Sequence, residues 1–148
     1  MYNTLLVPLD GSQRAEAILP HVEEMARRYQ ATIIFAQVVN ADAVTNMGNS
    51  AEAEEKIVER TPPTPVEKAE AYLSNIQKEF ASKHIEAEVY IGEGPVVETI
   101  INIADRIGAD LIAMASHGRT GLGYVFYGSV AAGILNRIDR PLLIIRSV

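Results

Sequence analysis

The sequence predicts an α/β fold, a five-stranded parallel sheet with helices on both faces. Three observations carry this prediction. Five short apolar runs recur along the 148 residues. The segments between them carry apolar residues at helical spacing. Turn residues such as Asp10-Gly11 and Gly92-Glu93-Gly94 close the runs. Continuous apolar strands alternating with amphipathic helices indicate a parallel sheet covered on both sides. Right-handed crossovers then leave few topologies.

The first strand is 4–9, TLLVPL, which runs into Asp10-Gly11-Ser12. Ser12 is placed to cap the helix that follows. There Ile18, Leu19, Val22, Met25, Ala26 and Tyr29 share one face. Pro20 lies inside this pattern and is expected to kink it or loosen one turn. The second strand is 32–39, TIIFAQVV, rich in β-branched residues. Residues 40–64 break the rhythm with NADAVTNMGNS, a short helical candidate AEAEEKIVER, and TPPTP. They read as one long flexible insertion, a lid or partner surface, or a tolerated surface segment. The next helix is 66–83, with Val66, Ala69, Leu73, Ile76 and Phe80 on one face. The third strand is 87–91, AEVYI, closed by Gly92-Glu93-Gly94-Pro95. A helix then buries Val96, Val97, Ile100, Ile101, Ala104 and Ile107, with Pro95 at its start and Gly108 past its end. The fourth strand is 110–115, DLIAMA, followed by SHGRTGLGYVFYGSV. A short helix at 129–138 and a final strand at 142–146, LLIIR, complete the order. Residues 1–148 are expected to form a single domain.

Composition narrows the function classes. The net charge of -6 argues against a broad nucleic-acid surface. It leaves room for one nucleotide, because backbone amides hold phosphate without net positive charge. With no cysteine, disulfides, thiolate catalysis and cysteine zinc sites are excluded together. His21 and His84 lack metal-ligand spacing. No signal peptide or membrane span is legible, so a cytoplasmic protein without membrane association is expected.

In open parallel sheets, ligands bind beyond the carboxyl ends of the strands, where the strand order reverses. The loops after Asp10, Val39, Gly92 and Ser116 are therefore the places to search. The stretch 116–130 leaves a strand and enters a helix, where unpaired amides and the positive dipole end favour an anion. Its glycines permit close backbone approach. A Walker A loop needs Gly-Lys before Ser or Thr, and this loop has no lysine. A Rossmann GxGxxG also fails. Gly121-Leu122-Gly123 meets Phe126 at the third position, and Gly92-Glu93-Gly94 meets Val97.

Another spacing does fit. Gly118, nine intervening residues, Gly128 and Ser129 resemble the phosphate loop of the universal stress protein family, in its ATP-binding branch. That pattern opens on a further glycine, whose place Ala115 takes here. LLVPLDGS, MASHGRTG, GSVA and RPLLIIR extend the resemblance along the chain. The resemblance implies strand order 3-2-1-4-5 in a Rossmann-like, adenine nucleotide alpha hydrolase-like three-layer sandwich. It implies ATP, with Mg2+ or Mn2+, as a regulatory ligand of the stress response. By position, Gly118, Gly128, Ser129 and Val130 would hold phosphates. His117 and Arg119 are further loop candidates, with a structural hydrogen bond and solvent exposure as their alternatives. Asp10 would lie by the ribose and reach a metal only through a phosphate-bound ion. Pro8 and Val38 or Val39 would line the adenine pocket, and Met114 and Ala115 would border the nucleoside.

Other readings stay open. Asp10 also suits turn chemistry alone. Glu93 suits a turn or a metal, and Tyr124 and Tyr127 suit packing or a partner. No lysine or second carboxylate accompanies the loop, so binding is favoured over turnover and no catalytic residue is assigned. A non-nucleotide interaction module of the same fold and a weak ATPase are the rivals. The final strand Leu142–Arg146, if it lies at the sheet edge, would pair with its copy in a homodimer. The resemblance points the same way.

Overall fold

The computed structural model describes residues 1–39, 62–117 and 128–147. The expected insertion therefore lies outside the described residues except for its last three, and so do Gly118, Arg119, Tyr124, Tyr127 and the His117 side chain. Nine regular α and β elements are described. They are β1 (Thr4–Pro8), α1 (Leu19–Tyr29), β2 (Thr32–Val39), α2 (Pro65–Ser82), β3 (Ala87–Glu93), α3 (Val96–Ile107), β4 (Leu111–His117), α4 (Ser129–Arg137) and β5 (Leu142–Ser147). A single 3-10 turn, Ala15–Ile18, precedes α1.

All neighbouring strands pair in parallel, in the order β3-β2-β1-β4-β5. The expected architecture is thus present. Strand alternation sends successive side chains to opposite faces and builds two cores. Leu5, Val7, Ile33 and Phe35 pack against Ile18, Val22, Leu73, Ile76 and Phe80, from the 3-10 turn, α1 and α2. Phe35 and Phe80 meet edge-on with centroids 5.0 Å apart. Leu6, Ile34, Ile112 and Met114 pack against Ile100, Ile103, Ala104 and Ile134, from α3 and α4.

Several local expectations change. Pro20 does not kink a helix. The chain runs as a 3-10 turn first, and α1 begins at Leu19, so Pro20 falls in the first turn, where no amide partner is needed. Tyr29 is exposed at the end of α1, its ring edge-on to Tyr2 at 5.1 Å. Gly92 is not a turn residue: it extends β3 and pairs with Val38. A Cβ there would stand 2.6 Å from the Thr99 methyl, so glycine lets α3 lie close to the strand. The turn itself falls at Gly94, whose φ is +130°.

Candidate functional site

The sheet opens where its order reverses, between β1 and β4. Their register covers only Leu5 with Leu111 and Leu6 with Ile112. Pro8 supplies a cause. The Leu9 amide donates to the Ala36 carbonyl of β2 at 2.8 Å. Successive amides point to alternate neighbours, so the Pro8 nitrogen, which has no hydrogen, faces β4. The ladder on that side has no donor to continue it.

A cavity of about 280 Å³ fills this opening. Its apolar walls include Pro8, Ala36, Val38, Ile100 and Met114, and Val96 stands 43% exposed among the lining residues. Asp10, Ser116 and Ser129 supply its polar side chains. Among the described residues, no lysine, arginine or histidine lines it.

Asp10 is held by local turn chemistry. Its Oδ1 accepts from the Ser12 amide at 2.9 Å and from the Ser12 hydroxyl at 2.6 Å. Ser12 Oγ in turn accepts from the Ala15 amide at 3.2 Å. The N-caps of the 3-10 turn and of α1 are Arg14 and Ile18, without side-chain caps, so Ser12 is not the helix cap expected of it. The turn fixes an exposed carboxylate at the cavity edge, so turn chemistry and a ligand role are compatible. Beside it, burial first, then the charges of Glu16 and Asp10, push the Tyr72 phenol well above its ordinary range, so it stays neutral.

The opposite wall is the start of α4. Gly128 is its N-cap, at φ 22° and ψ 155°, and no side chain caps the helix. The Gly128 carbonyl accepts from Ala132 at 3.0 Å, while Gly128, Ser129, Val130 and Ala131 line the cavity. The first-turn amides of such a helix carry the positive end of its dipole.

Pro8, Asp10, Val38, Met114, Ala115, Gly128, Ser129 and Val130 therefore come together around one cavity. Val39 is buried and is not among the lining residues, because the pleat turns it to the other face from Val38. Ala115 is extended in β4, and its methyl packs against the core formed with α1 and α2. Among the described residues, no group of three or more His, Cys, Asp or Glu is placed to hold a metal. Glu93, His21 and His84 are exposed. The sequence reading missed Ser116, a polar residue ending an apolar run. It also missed Ile100 as a cavity residue, since helical periodicity marks a buried face without saying what that face borders. It expected Val96 to be buried, whereas Val96 stands exposed at the cavity in the first turn of α3.

The model of the universal stress protein family matches residues 1–146. The chain belongs to the universal stress protein family. Universal stress protein MJ0577 of Methanocaldococcus jannaschii is 27% identical over 158 aligned residues, covering 99% of this chain and 96% of the relative. The solved structure of MJ0577 superposes with a TM-score of 0.75 at 28% identity, over 99% of this chain and 96% of that one. The universal stress protein from Archaeoglobus fulgidus in complex with dAMP gives a TM-score of 0.68 at 18% identity, over 97% of each chain. A universal stress protein in complex with cAMP gives 0.67 at 20% identity, over 99% of this chain and 98% of the other. The last two likenesses establish the shared fold.

Proposed function

We propose that this universal stress protein binds ATP in the β1–β4 cavity as a regulatory ligand of the stress response. The observation that carries the reading is one cavity with an apolar wall at one side and an uncapped helix N-terminus at the other. Pro8, Val38 and Met114 suit a flat base. Asp10 and Ala115 border the ribose, and the amides around Gly128, Ser129 and Val130 suit phosphates. The dAMP and cAMP held by the two structural neighbours support an adenine nucleotide. Gly118, His117 and Arg119 complete the phosphate loop in this reading on the strength of sequence alone. Ala115 packs against the core as well as lining the cavity, so its methyl is compatible with a ribose there. With Asp10 as the lone acidic lining residue among the described residues, Mg2+ or Mn2+ travels on the phosphates, and Asp10 reaches the ion indirectly. No described base or cation stands ready for turnover, so the role is binding, with weak hydrolysis at most.

The partner is a second copy. Strand β5 lies at the sheet edge, and Leu142 to Ile145 are only partly buried. An apolar edge of this kind invites strand pairing. No helix among the described residues is long and apolar enough to cross a membrane. A cytoplasmic setting, where ATP is available, fits this role; recovery with the membrane fraction would contradict it.

Native mass spectrometry with ATP and Mg2+ tests both assignments in one spectrum. The expected species is twice the 16.1 kDa chain with nucleotide retained. A persistent monomer would remove the dimer, and no nucleotide adduct at millimolar ATP would remove the ligand.

A further inference from the structure

Ser116 stands apart among the cavity residues. It is 3% exposed, and its hydroxyl has no hydrogen-bond partner among the described residues. Strand alternation puts its side chain on the face of Ile112 and Met114, the face that packs towards α4. It lines the same cavity as Ser129, Val130 and Ala131, whose helix start carries no capping side chain. A hydroxyl with no partner among the described residues and the first-turn amides of α4 thus border one space. Folding leaves a buried hydroxyl without a partner only at a cost, and a bound group that accepts from it removes that cost. The group that also suits first-turn amides is anionic and rich in acceptor oxygens.

We propose that Ser116 is a ligand-positioning residue whose hydroxyl donates to a phosphate oxygen seated at the start of α4. The assignment rests on the nucleotide reading above. It predicts two effects of opposite sign for Ser116→Ala. The ligand-free melting temperature rises, because a buried hydroxyl with no partner among the described residues is gone. Affinity for ATP falls about tenfold, the size of one hydrogen bond to a charged group. Affinity for adenosine, which has no phosphate, stays the same.

Calorimetric titration of wild type, Ser116→Ala and Ser116→Cys with ATP and with adenosine, beside melting curves of each free protein, tests this. Ser116→Cys keeps the shape of the side chain with a somewhat larger atom and offers only a weak donor, so it should lose ATP selectively as the alanine variant does. Unchanged ATP affinity in both variants overturns the proposal and leaves the nucleotide reading standing. An equal loss for ATP and adenosine overturns it too, as does a lower melting temperature for Ser116→Ala, which marks a structural hydroxyl. If the wild type itself takes up neither ligand, the nucleotide reading fails and this proposal fails with it.

Discussion

Two side chains decide the chemistry at the scale of single residues. Ala115 departs from the family's glycine, and it lines the cavity while packing against the core formed with α1 and α2. Ala115→Gly should therefore leave ATP affinity within about twofold while lowering stability by ~0.5–1 kcal/mol, the usual cost of glycine inside a strand. Denaturant unfolding and ATP titration of the same variant check both halves. Asp110 acts on stability alone. Its Oδ2 accepts from the Asn3 amide at 2.7 Å and the Thr4 amide at 2.9 Å. These backbone bonds hold its pKa below the ordinary 3.8. The stabilisation is complete above that ordinary value and is lost as pH falls through the lower folded value. Asp110→Asn should then be less stable than wild type at neutral pH, with the gap closing in strong acid. Urea unfolding at pH values on either side of that window checks the sign. Neither feature is legible in sequence, because which way a methyl points and which amides meet a carboxylate depend on pairing between distant segments.

Among whole elements, helix caps and close approaches fix how the helices pack. Thr64 caps α2 through a capping box, its Oγ1 accepting from the Glu67 amide at 3.1 Å while Glu67 reaches back to the Thr64 amide at 3.4 Å. That signal, TPVE, was readable but was absorbed into the proline-rich stretch before it. Arg140 anchors the far end of α3, donating to the carbonyls of Ala104 at 2.9 Å and Ala109 at 3.1 Å and pairing with Asp105. Between α3 and α4, a Cβ at Gly133 would lie 2.7 Å from a Val97 methyl. Alanine is intrinsically the better helix former by ~1 kcal/mol, but overpacking costs ~1–3 kcal/mol. Gly133→Ala should therefore destabilise, and adding Val97→Ala should recover part of the loss. Thermal unfolding of the two singles and the double measures the coupling. The run of helices and strands was legible from period alone. The contact at Gly133 was not, since it depends on how two helices cross.

On the scale of the whole molecule, parallel order and the switch between β1 and β4 place the cavity. Alternating apolar strands and amphipathic helices predicted the sheet, and the Gly118-to-Gly128 spacing predicted the family. Both come from local pattern, which sequence carries directly. The opening itself comes from a missing donor at Pro8 and from strands that part after Leu6, and only the folded register reveals it. The same register brings Asp10, Val38, Met114 and Ser129 to one space although they lie far apart in the chain. Titration of the isotope-labelled protein with ATP and Mg2+, followed by amide NMR shifts, tests the central claim most directly. Saturable shifts should concentrate at Val38, Met114 to Ser116 and Ser129 to Ala131. Shifts confined to other parts of the molecule, or none at millimolar ATP, would contradict a nucleotide site at the β1–β4 opening.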